Sequence, residues 1–326
     1  MTGPDPATAA VRLAVRATLA ECAASDLVLV ACSGGADSLA LAAAVAFEAP
    51  KQAVRAGAVM VDHGLVAGSA EVARRVTEQC GALGLAPLSL AAVEVRAGSD
   101  GLEAAARDAR YAALEEAAAQ HGAGFVLLGH TLDDQAEQVL LGLTRGSGAR
   151  SLAGMPRARD RFRRPLLAVS RDQTRSSCAA QGLTWWDDPM NDDPAFTRVR
   201  ARRALADLER DLGPGVAAAL ARSADQLRED ADHLDQLAGR AVGALGEGPW
   251  AVTDLEGLPR AVRTRVWRRL TIAAGAPAGQ VSTRHTEACD GLLTGWHGQG
   301  PVSLPGPLAA TRAGGRVSIG PPPPVE

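Results

Sequence analysis

The stretch that most constrains this chain is Ser-Gly-Gly-Ala-Asp-Ser at positions 33–38, which joins two apolar runs. The run at 27–32 has the length of a buried strand, and the run at 39–47 consists mostly of good helix formers. A turn with two glycines between a strand and a helix directs backbone N–H groups inward, where they and the positive helix end favour phosphate. We therefore predict a phosphate-binding turn made by Ser33, Gly34, Gly35, Ala36 and Ser38.

Asp37 lies in the first turn of the predicted helix. A carboxylate beside phosphates would repel them unless it acts through a cation, so we predict that Asp37 is a Mg²⁺ ligand. The stretch lacks the lysine of G-x-x-x-x-G-K-[ST], and G-x-G-x-x-G is also absent. It resembles instead the S-G-G-x-D-S signature of the PP-loop ATP pyrophosphatases, which cleave ATP between the α- and β-phosphates and adenylate their substrate. The alternative is an ordinary strand–helix turn capped by Ser or Asp.

Composition limits the class of protein. A length of 326 residues predicts one large domain and a smaller one, and a formal net charge of −3 restricts any nucleic-acid surface to local patches. The five cysteines are scattered without a C-x-x-C pair, which argues against a disulfide framework or a zinc site and indicates free thiols in a reducing compartment. Because no signal peptide or membrane-spanning run is evident, we expect a soluble, cytoplasmic protein with no membrane partner.

Strands and helices alternate at short spacing in the first half of the chain. Further strands are predicted at 56–61, 88–95 and 124–128, and helices at 69–83, 101–121 and 133–143. This alternation predicts an α/β fold with a doubly wound parallel sheet, in which ligands bind beyond the carboxyl ends of the strands. The glycine turn, Asp62-His63-Gly64 and Gly129-His130 would all lie at that edge.

Two groups of side chains near this edge could carry chemistry. His130 is followed by Asp133, Asp134 and Glu137, which form either a metal and acid–base cluster or an acidic helix start favoured by the helix dipole. An amine nucleophile, with a free pKa of about 10.4, would need such a group to take its proton. His63 could contact nucleotide, or it could be a loop histidine with local partners.

Arginine-rich segments are the other feature of the sequence that could carry chemistry. Glu103, Arg107 and Arg110 share a helix face, where the arginines could neutralise polyphosphate or RNA phosphate, or form an exposed ion-paired face. Seven arginines lie between 157 and 175, and four more lie between 198 and 203. These groups are either solvated surfaces or an RNA-contacting groove. The pair Trp185-Trp186 is more typical of a core than of base stacking.

The chain resembles the tRNA(Ile)-lysidine synthase branch of the PP-loop family over nearly its whole length. Besides the glycine turn, residues 61–65 (V-D-H-G-L), 103–111 (E-x-x-x-R-x-x-R-Y) and 129–137 (G-H, then D-Q-A-E) match family motifs. Later matches are R-G-S-G at 145–148, L-A-G-M at 152–155, R-P-L-L at 164–167, D-P-M-N at 188–191 and L-P-G at 304–306.

This resemblance implies a two-step reaction with ATP and Mg²⁺. ATP adenylates the wobble cytidine of tRNA(Ile) with a CAU anticodon and releases pyrophosphate, and the side-chain amine of free L-lysine then displaces AMP to leave lysidine. The implied catalytic set is Asp37, His130, Asp134, Glu137, Arg107 and Arg110. Asp62 and His63 join the turn in nucleotide binding, and Asp37 and Asp134 are the expected metal ligands. The number of subunits stays open, with a homodimer as one option.

The implied domains follow the same resemblance. Residues 1–212 would form the PP-loop catalytic domain, 213–248 a long connecting helix and linker, 249–320 a small substrate- or tRNA-binding domain, and 321–326 a disordered tail. The small domain combines predicted helices at 259–274 and 282–294 with short β-like runs at 302–304, 308–312 and 317–319.

Two classes of rival function stay open at this point. Another PP-loop enzyme, such as a tRNA thiolase or an amidotransferase-type synthetase, shares the glycine turn, but thiolases usually need paired cysteines. Cys32, which precedes the turn, has no sequence partner. A non-catalytic ATP-binding regulator would need the turn but neither the acidic second signature nor the arginine groups.

Overall fold

The computed structural model describes residues 3–62, 69–93, 102–145, 148–188, 190 and 193–322. The chain divides into two units, residues 1–227 and 228–326, which are described separately below. Among the described residues, no helix is both long enough and apolar enough to span a bilayer.

A six-stranded sheet lies at the centre of the described part of the first unit, in the order β3-β2-β1-β4-β6-β5. Its first five strands in that order are parallel, and β5 runs antiparallel to β6 at one edge. The strands are β1 (Leu27–Ala31), β2 (Arg55–Asp62), β3 (Leu88–Ala92), β4 (Phe125–Leu128), β5 (Ala158–Arg159) and β6 (Phe162–Arg163).

Helices connect these strands and continue beyond them. In chain order they are α1 (Pro6–Leu19), α2 (Ala36–Glu48), the 3-10 helix Ala49–Gln52, α3 (Ser69–Ala82), α4 (Leu102–His121), α5 (Leu132–Thr144), α6 (Ala149–Leu152), α7 (Arg171–Ala180), α8 (Thr197–Leu212) and α9 (Val216–Leu245). The last of these helices is shared by the two units.

Both faces of the sheet are covered, because alternate residues of β1 enter different cores. Val28 and Val30 pack in one cluster with buried residues of α1, α2 and α7, whereas Leu27 and Leu29 pack in another with Leu114 of α4. A strand that is buried on both faces reads as a continuous apolar run, as this one does. The arrangement confirms the predicted doubly wound parallel sheet.

The order of the strands reverses next to β1. The chain builds β1, β2 and β3 in one direction and then returns to add β4 on the other side of β1. In open α/β sheets, ligands bind in the crevice at such a switch point, outside the carboxyl ends of the strands. The glycine turn follows β1 and Gly129-His130 follows β4, so the fold directs both segments to this crevice.

The second unit has its own core around Trp267, which is fully buried. Its elements, besides the end of α9, are β7 (Trp250–Ala251), α10 (Val252–Glu256), α11 (Arg260–Ala273), α12 (Thr283–Thr294), β8 (Val302–Leu304), β9 (Leu308–Ala313) and β10 (Arg316–Gly320). The strands form an antiparallel sheet in the order β7-β10-β9-β8.

The long helix α9 spans Val216–Leu245, and the elements of the small C-terminal segment follow it from Trp250 onward. The division between the units falls inside α9, after Leu227, rather than on either side of that helix. Helices α7 and α8 and the β5–β6 hairpin were not predicted; they occupy the arginine-rich part of the sequence.

A buried ion pair joins α11 to α12. Both nitrogens Nε and Nη2 of Arg263 donate to the carboxylate of Asp290, with Nη2 at 3.0 Å from Oδ2, and each side chain is only 9% exposed. One turn earlier, Arg260 and Glu287 make an exposed pair at 3.0 Å between the same two helices.

This pairing gives a prediction about stability. Asp290→Ala should lower the free energy of unfolding of this unit by about 3–5 kcal/mol, because it leaves the buried guanidinium of Arg263 without its counter-ion. Glu287→Ala is the matched control and should cost at most about 1 kcal/mol, because its pair is solvated. Urea unfolding followed by tryptophan fluorescence measures both; equal losses in the two variants would contradict the prediction.

Candidate functional site

The turn after β1 is stabilised by its own serines. The backbone N–H of Ser33 donates to Oγ of Ser38 at 3.1 Å, and that hydroxyl donates to the carbonyl of Gly35 at 2.9 Å. Gly34 has φ +87°, a backbone conformation that residues other than glycine rarely adopt. Gly35 is the N-cap of α2 and supplies no side-chain acceptor, so the first amides of this helix stay available for an anion.

The end of β4 comes very close to the start of α2. A Cβ atom on Gly129 would lie 3.1 Å from the backbone nitrogen of Ser38 and 3.2 Å from the carbonyl of Asp37. Only glycine fits here without moving one backbone against the other. The contact fixes the loop that carries His130 beside the phosphate-binding turn.

A cavity of about 820 Å³ lies at this point of the first unit. Most of the predicted site residues line it, namely Ser33, Gly35, Ala36, Asp37, Ser38, Asp62, Arg107, Arg110, His130, Asp134 and Glu137. Gly34 is not part of the lining; its carbonyl instead accepts from the backbone N–H of Trp186 at 2.9 Å. His63 lies outside the described residues.

Asp37 is the carboxylate closest to the phosphate-binding amides. Its side chain is 25% exposed, Thr174 donates a short hydrogen bond to it, and Nε of Arg171 lies 3.7 Å from its Oδ2. Burial raises the pKa of Asp37 to about 6; the negative charges of Asp134 and Asp133 add to this, against the opposing effects of Thr174 and Arg171. The groups around this carboxylate therefore offset its desolvation only in part.

Such a carboxylate fits the predicted Mg²⁺, since a hard cation with oxygen ligands would offset its desolvation. In Asp134, by contrast, both carboxylate oxygens already accept hydrogen bonds. Its Oδ1 accepts from Nη2 of Arg171 at 3.0 Å, and its Oδ2 accepts from the N–H and hydroxyl of Thr131 at 2.8 and 3.0 Å. No cluster of three or more metal-binding side chains is found among the residues that the structure describes. The geometry thus favours Asp37 over Asp134 as a ligand.

An acidic cluster, formed by Asp37, Asp133, Asp134 and Glu137, surrounds the side chain of Arg171. Besides its contact with Asp134, Nη2 of Arg171 donates to Oε1 of Glu137 at 3.3 Å, and the backbone N–H of Arg171 donates to Oδ2 of Asp133 at 2.7 Å. Burial works against the charge of Arg171, but Asp134, Glu137 and Asp37 outweigh it and raise its pKa. The guanidinium is therefore permanently charged.

Glu137 is the most deeply buried member of the acidic cluster, with a side chain that is 3% exposed. Its Oε1 also accepts from Nε of Arg202 at 2.9 Å, whereas its Oε2 is buried and has no hydrogen-bond partner among the described residues. Burial would raise the pKa of Asp134, but Arg171, His130 and the hydrogen bonds from Thr131 together lower it. Asp134 is thus ionised at neutral pH, and the cluster can receive a cation.

His130 is electrically neutral at physiological pH. Burial lowers its pKa to about 3; Asp134 opposes this effect, whereas the guanidinium groups of Arg164, Arg110 and Arg198 reinforce it. Its Nδ1 is buried and has no hydrogen-bond partner in the described part of the chain. A neutral imidazole of this kind keeps one N–H donor and one acceptor nitrogen for binding a ligand, but carries no positive charge near pH 7.

Arginines occupy a second part of the cavity lining. Arg107, Arg110 and Arg198 line it. Arg164 lies behind them, donating to the hydroxyl of Tyr111 at 3.1 Å and to the carbonyl of Pro156 at 2.9 Å. Such a concentration of guanidinium groups suits phosphate.

Contributors to the site that sequence reasoning missed include Arg171, Thr174 and Arg202. All three lie on α7 or α8, within the arginine-rich segments that we interpreted as a surface or a groove. A signal for α7 does exist in the sequence, because Ser170 and Gln173 form a capping box at its start. Nothing local indicates that Arg171 and Arg202 would pair with carboxylates of α5.

Comparisons with known proteins agree with this geometry. The profile of the PP-loop domain family matches residues 9–209, which include every described residue of the cavity lining. A solved structure of the U34-tRNA thiolase NcsA from Methanococcus maripaludis superimposes with a TM-score of 0.56 over 68% of this chain and 80% of that one. At 20% sequence identity, this likeness concerns the fold alone.

Curated relatives are similar over almost the full length. The tRNA(Ile)-lysidine synthase of Streptomyces coelicolor is 51% identical, with 97% of this chain and 99% of the relative covered. That of Thermobifida fusca is 52% identical, with 98% and 99% covered. Because identity and coverage are both high and the PP-loop profile spans the whole site, this chain belongs to the tRNA(Ile)-lysidine synthase family of PP-loop proteins.

Proposed function

We propose that this protein ligates L-lysine to the wobble cytidine of the CAU anticodon of tRNA(Ile), using ATP and releasing pyrophosphate and AMP. The observation that carries the proposal is the juxtaposition in one cavity of an anion-binding helix start and an acidic cluster. The first suits the phosphates of ATP, and the second suits an amino acid with a cationic side chain.

In the first step, the phosphates bind at the amides of the turn 33–38, and the wobble cytidine attacks the α-phosphate. At the α-phosphorus, a bond to the cytidine forms and the bond to the pyrophosphate leaving group breaks. Mg²⁺ held by Asp37 would supply positive charge for the polyphosphate. Arg107 and Arg110, which line the same cavity, can stabilise charge on the phosphates and orient the RNA.

In the second step, the side-chain amine of lysine displaces AMP from the cytidine. The acidic cluster can bind the incoming ammonium group, and the unpartnered Oε2 of Glu137 is an acceptor suited to it. The ammonium must lose a proton before it attacks. With a pKa of about 3, His130 is too weak a base to take this proton from the ammonium group, so a carboxylate or water accepts it. His130 acts instead as a neutral hydrogen-bonding group.

The remaining partners belong to the same proposal. The wobble base must leave its stack to enter the cavity, as bases do in single-stranded RNA recognition. A cytoplasmic protein with local arginine groups fits a tRNA substrate despite a net charge of −3. A homodimer remains an option for assembly.

The rival thiolation chemistry has little support from the cysteines. Of the five, Cys32, Cys80, Cys178 and Cys289 are buried and Cys22 is half-buried, and none forms a disulfide. Sulfur relay or a cluster needs accessible paired thiols, so the ligase is the better proposal.

Labelled lysine tests the function directly. Incubation with ATP and tRNA(Ile) carrying a CAU anticodon should place label on the tRNA that survives mild alkali, which removes ester-linked amino acids. The same tRNA with uridine at the wobble position is the control and should acquire no stable label. Equal labelling of both, or none of either, would contradict the proposal.

Asp37→Asn should lower tRNA-dependent pyrophosphate release by about 100-fold, because it removes the charge that we assign to the Mg²⁺ site. Asp172→Asn, at the exposed start of α7 and outside the cavity lining, is the matched control and should behave like the wild type. Pyrophosphate release at saturating ATP measures the effect. Near-normal release by Asp37→Asn would exclude the assigned role.

The neutral state of His130 makes a further prediction. Because the depressed pKa keeps this imidazole uncharged above about pH 4, His130→Gln should reduce the rate without removing an ionisation from the kcat profile between about pH 6 and pH 9. Wild-type and variant profiles should therefore be parallel. Loss of an inflection near pH 6.5 in the variant alone would show that His130 titrates in the working range.

A further inference from the structure

Arg171 holds a position that the substrate needs. Its guanidinium lies in the acidic cluster, within 3.0 Å of Asp134 and 3.3 Å of Glu137, where the proposed function requires the ammonium group of lysine. The side chain is 18% exposed, so one part of it reaches the cavity. A guanidinium and an ammonium cannot both use these carboxylate oxygens at full strength.

The attachment of this guanidinium is incomplete. Of its five N–H donors, only those on Nη2 make hydrogen bonds within the described part of the chain. The nearest atom of Asp37 is 3.7 Å from Nε, which is an ion-pair distance and not a hydrogen bond. By comparison, the guanidinium of Arg263 in the second unit uses all three of its nitrogens.

The start of helix α7 is an unfavourable place for the positive charge of Arg171. It is the first residue of α7, where the positive end of the helix dipole repels a cation. Its backbone is fixed by the hydrogen bond to Asp133, but the direction of its side chain depends on the carboxylates. Two arginine side chains contact the carboxylates of the cluster: Arg171 lies beside Asp37, Asp134 and Glu137, and Arg202 lies beside Glu137.

We propose, on the basis of the function proposed above, that Arg171 is a displaceable counter-ion of the amine site. Its guanidinium occupies the acidic cluster in the free enzyme, and the ammonium group of lysine displaces it. The displaced side chain turns about its fixed backbone toward the phosphate-binding turn, where ATP supplies negative charge. One positive charge enters the cluster as another leaves, so lysine binding and the polyphosphate site are coupled.

This role makes Arg171 a positioning residue that sets the affinity for lysine. Arg171→Met keeps much of the side-chain volume but removes the competing charge, so the KM for lysine should fall by about tenfold. The kcat should fall as well, because the polyphosphate loses a guanidinium. A side chain with a merely structural role would raise the KM when removed. Arg171→Lys keeps a cation and should give a KM between those of the wild type and Arg171→Met.

A matched control is available on α3. Arg74 is also held by two carboxylates, Glu71 and Glu78, but it is exposed and lies outside the cavity lining. Arg74→Met should leave the KM for lysine unchanged. The measurement is lysine-dependent labelling of tRNA at saturating ATP, with circular dichroism to verify that each variant is folded.

A second variant tests displacement separately from folding or general loss of charge. Arg171→Ala leaves space in the cluster, so guanidinium ion at low millimolar concentration should refill it and raise the KM for lysine, with little effect on the wild type. A KM that rises or stays constant in Arg171→Met and Arg171→Lys, or an equal response of wild type and Arg171→Ala to guanidinium, would overturn the proposal. Failure of the function itself would differ, because the wild type would then attach no lysine at all.

Discussion

The close backbone approach of Gly129 to the start of α2 is the constraint on which the site depends. Two segments about ninety residues apart in the sequence meet there, at the point where the order of the strands reverses. A Cβ atom on this glycine would shift the phosphate-binding amides and the loop of His130 apart by a few tenths of an ångström. The charged groups of the site are built around this close contact.

The charges in the cavity are arranged by sign. Carboxylates of α2 and α5 contact Arg171 and Arg202, whereas Arg107 and Arg110 of α4 and Arg198 of α8 form the other charged group. Both groups affect the pKa of His130. Because the carboxylates are partly or fully buried, their interactions with Arg171 are stronger than in water. A phosphate ester and a cationic amino acid can thus occupy one cavity without each neutralising the groups meant for the other.

Much of the fold and of the site could be predicted from the sequence, because the signals lie in short segments of the chain. Apolar runs of strand length, the glycine turn and the helical periods identified β1, β2, β4 and the sheet that contains them, and the motifs identified the family. The positions of Arg171 and Arg202 could not be predicted, because a run of arginines looks the same whether it faces solvent or carboxylates. Pairing with α5 depends on how α7 and α8 pack, and that information is not contained in either segment.

Asp134 has two duties, and each of its carboxylate oxygens serves one of them. One oxygen holds the N–H and hydroxyl of Thr131 at the start of α5, and the other faces Arg171. A change at this position would therefore loosen the first turn of α5 and shift Glu137, which lies one turn further along. A protein altered at this position should therefore be less stable to heat as well as less active, and activity at low temperature would separate the loss of helix stability from the loss of chemistry.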